Sequence, residues 1–200
     1  MMIVYPVMET FYSIQGEGFY AGESAFFIRL AGCDIGCVWC DVKESWSSEN
    51  TPEKSVDELV SEVIKSGARR VIITGGEPTM YDLEPLTRAL NSNSIQTHLE
   101  TSGAYPITGN WNWVCVSPKK FKAPITEELL KADELKVIIF NNSDFDWAEK
   151  HTELVKKGCK LFLQPEWTKT DSLKERITEY VKNHPNWRIS LQIHKYLDVR

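Results

Sequence analysis

Two hundred residues, 42% of them hydrophobic, suffice for one globular domain with a sizeable core, and no apolar run approaches the roughly 18 to 20 residues that span a bilayer. A formal charge of −5 without any dense lysine or arginine block offers a phosphate backbone little to hold, which argues against nucleic acid as a partner. Five cysteines and no signal-peptide pattern at the start point to a cytoplasmic protein with free thiols rather than a disulfide framework.

In chain order, residues 1–22 read as an N-terminal extension of a single domain covering 1–200, and they carry a glycine-rich turn, Ile14-Gln15-Gly16-Glu17. A first strand follows at 25–30, apolar except for Arg29, and leads into Cys33, Cys37 and Cys40, spaced C-x3-C-x2-C. The polar stretch 43–54, broken by Pro52, reads as a loop. After it come a helix at 55–65, a strand at 70–73 and a helix at 81–90. Further strands are expected at 95–99, 113–116, 135–140, 160–163 and 188–193, with helices at 126–131, 144–157 and 171–183. Such alternation predicts an α/β fold with a mainly parallel sheet. A closed eightfold βα barrel takes about 250 residues, so six or seven strands in this length imply an incomplete, open βα barrel. Its open side must be covered by segment 1–22, a partner subunit or a large ligand, and a homodimer is the first expectation.

Three cysteines suit a four-iron cluster, because three thiolates leave one iron open for a small molecule. A structural zinc ion would close its tetrahedron with a fourth protein ligand. Cys115 and Cys159 lie in or beside apolar runs, read as small buried hydrophobes and are not placed as a fourth ligand. In parallel βα folds the reactive groups collect at the carboxyl ends of the strands. Here those ends carry the cysteine loop, Thr74-Gly75-Gly76-Glu77-Pro78, Glu100-Thr101-Ser102-Gly103, Ser117-Pro118-Lys119, Gln164-Pro165-Glu166 and Gln192-Ile193-His194-Lys195. Any one of these reads equally as a turn or a helix cap; six converging on one rim read as a site. Gly75 and Gly76 let the backbone approach a ligand closely and leave carbonyl groups to accept from an ammonium. Arg29, in an apolar strand, needs an anionic partner, either an internal carboxylate or one on the substrate. Gln15, with the backbone of Ile14 and Gly16, presents donors and acceptors to a ring edge, with Glu17 as an acceptor; the bland alternative is a turn and nothing more.

The cysteine triad with the Gly75-Gly76-Glu77-Pro78 turn resembles the radical S-adenosylmethionine (SAM) superfamily. That resemblance implies that the open iron is chelated by the amino and carboxylate groups of SAM. Reductive cleavage would then yield methionine and a 5'-deoxyadenosyl radical, in a site that excludes water. The segments Glu9-Thr-Phe-Tyr-Ser-Ile-Gln-Gly-Glu-Gly18, Phe27-Ile-Arg-Leu-Ala-Gly-Cys33, Cys37-Val-Trp-Cys-Asp41 and Ser190-Leu-Gln-Ile-His-Lys-Tyr196 resemble the 7-carboxy-7-deazaguanine synthases, over most of the chain. This family converts 6-carboxy-5,6,7,8-tetrahydropterin to 7-carboxy-7-deazaguanine with loss of ammonia, on the route to queuosine and other deazapurines. By the same resemblance Ile14, Gln15, Gly16, Glu17, Arg29 and Thr74 meet the substrate. Trp39, Cys40, Asp41 and the turn Gly75, Gly76 and Glu77 touch SAM, Trp39 being equally a core aromatic. Ser117, Pro118 and Lys119, and Gln164, Pro165, Glu166 and Trp167, line the SAM pocket. His194 bonds substrate or passes a proton, or is structural, and Arg200 offers a terminal carboxylate. An electron-donor protein such as flavodoxin or ferredoxin is also implied.

Many family members follow the third cysteine with Asp-Thr, the threonine hydroxyl holding a magnesium ion, whereas this chain reads Cys40-Asp41-Val42. Valine offers no oxygen ligand and leaves Asp41, with water and substrate, to hold magnesium, or Lys43 to supply a cation instead. Weak or absent magnesium dependence is therefore expected. Two rival readings are a glycyl-radical-enzyme activase, which would leave Arg29 and Gln15 without a purpose, and a non-enzymatic cysteine-metal scaffold.

Overall fold

The computed structural model describes residues 3–200. An antiparallel pair opens the chain, β1 (Val4–Ile14) and β2 (Ser24–Leu30), followed by the short β3 (Glu53–Ser55) and helix α1 (Val56–Ser66). Strands and helices then alternate through β4 (Arg70–Gly75), α2 (Glu84–Ser92), β5 (Gln96–Thr101), β6 (Trp113–Val116), α3 (Thr126–Leu129) and β7 (Glu134–Ile139). The chain finishes with α4 (Ser143–Thr152), β8 (Lys160–Pro165), α5 (Thr170–Asn183), β9 (Trp187–Ile189) and a short helix α6 (Ile193–Leu197). The described strands form one open sheet in the order β3-β1-β2-β4-β5-β6-β7-β8-β9. From β2 to β9 every neighbouring pair is parallel, which is the open βα barrel expected.

Alternation along the strands separates two environments. Ile28, Leu30, Val71, Ile73, Leu99, Leu135 and Val137 share one buried core with Leu59, Val63, Leu86, Leu90 and Ile177 of the helices. Each fully buried aliphatic side chain contributes about 1.5–3 kcal/mol, so this outer face carries the folding. The inner face is then free to be polar: Arg29, Thr74, Glu100, Lys136 and Gln164 point into the barrel. Helix α1 shows how locally the elements are specified. Ser55 and Glu58 form a capping box, and Gly67 ends the helix in the left-handed conformation.

The sheet holds nine strands where six or seven were expected, and the two additional ones are both antiparallel. Segment 3–22 is not a simple extension, since β1 lengthens the wall by pairing with β2. An irregularity between Val7 and Glu9 interrupts its alternation, and Pro6 argues against a strand anywhere but near an edge. Strand β3 lies within the stretch read as a loop and is defined by pairing with β1 alone. Strand β9 stops at Ile189 rather than 193, because the Ser190 hydroxyl turns away to Gln164 Oε1 at 2.7 Å and the chain enters α6. The helix expected at 81–90 begins at Glu84, with Pro85 in its first turn, and the one expected at 144–157 ends at Thr152. At the amino ends of the strands Phe19 stacks on Trp113 and Tyr20 meets it edge-on, each 4.9 Å between ring centroids, and the three plug the barrel floor.

Candidate active site

The cysteine loop leaves β2 and is pinned at once. Gly32 and Cys33 donate to the carbonyls of Ser45 and Trp46 at 2.8 and 3.0 Å, and Cys40 N–H closes a turn on Cys37 O at 3.0 Å. All three thiols are free and line one cavity of about 650 Å³ at the carboxyl ends of the strands. No three His, Cys, Asp or Glu side chains among the described residues gather to hold a single ion. Burial pushes the Cys33 thiol up and the Cys37 thiol up to about 11, so ligation has to displace their protons. Trp39 packs beside this loop, edge-on to Phe121 at 6.1 Å, with the Lys119 ammonium 5.4 Å from its ring.

The Gly75-Gly76 turn has a reason prior to any ligand. A Cβ on Gly75, where φ is +132°, would stand 2.0 Å from Leu30 O, and one on Gly76 2.2 Å from Gly32 O. Both glycines are therefore required for the turn to lie against the start of the cysteine loop, where Gly76 and Glu77 N–H donate to Leu30 and Gly32. Glu77 lines the cavity, but its carboxylate is already engaged. It accepts from Thr79 and Thr101 on one oxygen and from Ser102 on the other, tying the β4 turn to the β5 turn.

Lys119 donates to Ser117 Oγ at 2.5 Å, and burial lowers its ammonium pKa. Gln164 holds Ser190, Glu166 caps Thr168, and Trp167 packs edge-on to Tyr196 at 5.1 Å. Pro165 lines the cavity with them; Pro118 does not.

On the facing wall, Arg29 Nε donates to Glu9 Oε1 at 2.8 Å, so the internal-carboxylate reading holds for that nitrogen while the side chain still lines the cavity. Arg200 sits at the same wall, its guanidinium 3.5 Å from Glu9 and its backbone oxygen accepting from Ser13. Gly16 and His194 are in direct contact: a Cβ at Gly16 would fall 1.9 Å from His194 Nδ1, and Ile193 N–H donates to Gly16 O at 2.9 Å. The N-terminal turn and the C-terminal helix thus dock on each other across the cavity. Burial holds the His194 imidazole below its usual range, which leaves it neutral at pH 7.

Three further polar residues join these walls: Gln192 and Lys195, which belong to the rim segment read from the sequence, and Lys136, which that reading missed. Lys136 Nζ lies 2.7 Å from Glu17 and 3.0 Å from Glu100; Gln192 donates to Glu17 at 2.9 Å; Lys195 pairs with Asp41 at 2.9 Å. Gln15 completes the belt by donating to Glu100 at 3.1 Å. The cation beside Asp41 is therefore Lys195 rather than Lys43, whose ammonium rests 5.9 Å from the Trp46 ring. Of Asp41 and Val42 only Asp41 offers side-chain oxygens to a magnesium ion, and one of them is paired with Lys195. The signal for Lys136 was available: Glu134, Lys136 and Ile138 alternate with Leu135, Val137 and Ile139, placing a cation inside a strand just as for Arg29.

The sequence profile of the radical SAM superfamily matches residues 27–109. Across 97% of this chain and 92% of the relative, 50% of residues are identical to a 7-carboxy-7-deazaguanine synthase of Flavobacterium psychrophilum. The Synechocystis and Escherichia coli K12 proteins of that name share 49% identity over 100% of this chain and 96% of theirs, and 34% over 98% and 99%. A crystal structure of QueE from Escherichia coli superposes with a TM-score of 0.83 at 32% identity, covering 94% of this chain and 93% of that one.

Proposed function

This chain belongs to the 7-carboxy-7-deazaguanine synthases of the radical SAM superfamily, and from that membership we infer how its cavity carries the reaction. It is a lyase that converts 6-carboxy-5,6,7,8-tetrahydropterin to 7-carboxy-7-deazaguanine with loss of ammonia, and it uses a four-iron cluster and SAM. The observation that carries the site assignment is that the three thiols, Arg29, Glu17 and Thr74 line the same cavity.

When bound, the cluster and SAM supply the one-electron chemistry that begins with hydrogen abstraction from the substrate. The cluster would be held by Cys33, Cys37 and Cys40, and SAM by the Gly75-Gly76 turn, Trp39, Ser117, Lys119 and the segment from Gln164 to Trp167. Lys119 is the cation placed for the SAM carboxylate. Arg29 clamps the substrate carboxylate with the guanidinium nitrogens that Glu9 leaves over. At the other end Glu17 and Gln15 read the aminopyrimidinone edge, so the cavity's own charges orient the pterin. Neutral His194 accepts or passes a proton near the departing nitrogen. Docking of α6 on the N-terminal turn keeps water from this wall.

Residues 1–200 act as one domain with 1–22 contributing to the substrate site; the first two residues of that segment lie outside the described ones. A single continuous sheet supports this reading. A homodimer is supported by the exposed apolar side chains of Leu191, Tyr196, Leu197 and Val199 beside the open β9 edge, and a one-chain mass on sedimentation would overturn it. A flavodoxin or ferredoxin serves as electron donor; failure of both to replace a chemical reductant would overturn that. No helix among the described residues is long and apolar enough to cross a membrane.

An anaerobic assay with reconstituted cluster, reductant, SAM and the pterin tests the whole assignment. Mass spectrometry should show 7-carboxy-7-deazaguanine without stoichiometric loss of SAM. Cleavage of SAM with no deazapurine would refute the site reading.

A further inference from the structure

Lys136 is the most completely enclosed cation in the cavity wall, 3% exposed, at the centre of β7. Its ammonium meets two carboxylates from different parts of the chain, Glu17 of the N-terminal turn at 2.7 Å and Glu100 at the end of β5 at 3.0 Å. Each carboxylate takes Lys136 on one oxygen and a glutamine amide on the other, Gln192 at Glu17 and Gln15 at Glu100. Glu17 N–H donates to Gln15 Oε1 at 3.1 Å, which closes a ring of hydrogen bonds around the ammonium. All five side chains line the cavity.

We propose that Lys136 is a positioning residue for the pterin: it draws Glu17 and Glu100 to either side of one cation and keeps both as acceptors for the donor edge of the substrate. The inference rests on the substrate reading above. A carboxylate oxygen has two acceptor sites, so each group retains capacity for a ligand N–H after binding Lys136 and a glutamine. Without the cation, burial and mutual repulsion would place a proton on one of the pair, and that group would then donate where it must accept. The structure shows the opposing balance. Burial by itself would raise both carboxyls, yet the Lys136 charge holds Glu17 and Glu100 below the usual carboxylate range. Other titratable groups facing Lys136 are His98 of β5, Cys115 of β6, Lys119 beyond it, Glu134 of β7 and His194 of α6. Of these only Lys119 brings a second ammonium, and it donates to Ser117 Oγ rather than to Glu17 or Glu100.

Binding of 6-carboxypterin to cluster-loaded protein, followed by calorimetry from pH 6 to 9 in two buffers of different ionisation enthalpy, tests the role. Wild type should bind with no net proton exchange at the protein. Lys136→Met should bind at least about thirtyfold more weakly at pH 7, recover affinity as pH rises, and release on the order of one proton on binding. A purely structural lysine would lower stability without creating that proton linkage. Lys136→Arg keeps the charge but not the single-point geometry, so its pH profile should match wild type while Kd rises about tenfold. Wild-type affinity in Lys136→Arg overturns the positioning role even if Lys136→Met fails to fold, as does a Lys136→Met protein that binds without proton release. Absence of binding by wild type would instead overturn the substrate reading.

Discussion

Replacing Glu77 by glutamine separates what holds the site together from what holds the ligand. The Glu77 side chain is 1% exposed and accepts from two backbone N–H groups, Thr79 N–H on Oε1 at 3.2 Å and Ser102 N–H on Oε2 at 2.8 Å. The hydroxyls that also bond it, from Thr79, Thr101 and Ser102, can rotate to accept from an amide; the backbone groups cannot. Whichever way the Gln amide is oriented, its NH2 faces one backbone N–H. The variant therefore loses one hydrogen bond to a charged acceptor and leaves a buried donor unpaired, a cost of about 3–4 kcal/mol. At roughly 2–4 °C per kcal/mol for a chain of this size, Tm should fall by about 10 °C.

Anaerobic calorimetry of cluster-loaded Glu77→Gln measures that fall, and SAM titration well below Tm measures the ligand side. Because the carboxylate oxygens are already occupied by protein donors, SAM affinity should stay within about threefold of wild type. An unchanged Tm with SAM binding abolished would refute the reasoning, since it would mean that Glu77 spends its charge on the ligand rather than on the β4 and β5 turns.

Gly16→Ala places a methyl group on His194 and should cost about a hundredfold in kcat/KM by displacing α6. Adding His194→Ala should restore Tm but not turnover, and wild-type turnover in Gly16→Ala would refute the docking argument. Glu17 is held below its usual pKa of 4.5 by Lys136 against burial, so its contribution to stability is present above that pH and lost as pH falls through the folded value. Glu17→Gln should accordingly flatten the acid limb of urea-unfolding stability between about pH 5 and 3, and an unaltered limb counts against the pair. Omitting magnesium should change wild-type turnover less than about twofold, whereas Val42→Thr, which restores an oxygen ligand, should gain a magnesium response. A strict magnesium requirement in wild type would sink this reading.

The seven parallel strands could be read from sequence because each is an apolar run interrupted at its end by glycine, proline or a polar cluster, and the same interruptions exposed the rim of the cavity. Where strand identity depended on pairing rather than side chains, as for β3, or where Pro6 and an irregularity masked the alternation, as for β1, the sequence carried no comparable signal. Lys136 shows a different kind of omission. His98 with Glu100 in β5, and Glu134 with Lys136 in β7, alternate with Leu99, Leu135 and Val137, the pattern that in an ordinary half-exposed strand puts the charges in water. Here the face is inverted: the aliphatic side chains meet the helices, and the charges point into a barrel stoppered by Phe19, Tyr20 and Trp113. That inversion requires the helices to cover the outside of the sheet, which βα alternation already implied. A charged residue in the middle of an interior parallel strand of such a fold is therefore placed inside, where it needs a partner of opposite sign, whereas Arg188 in the edge strand β9 stays exposed. Applied to β7 as it was to Arg29 in β2, that argument leads from Lys136 to Glu17 and Glu100.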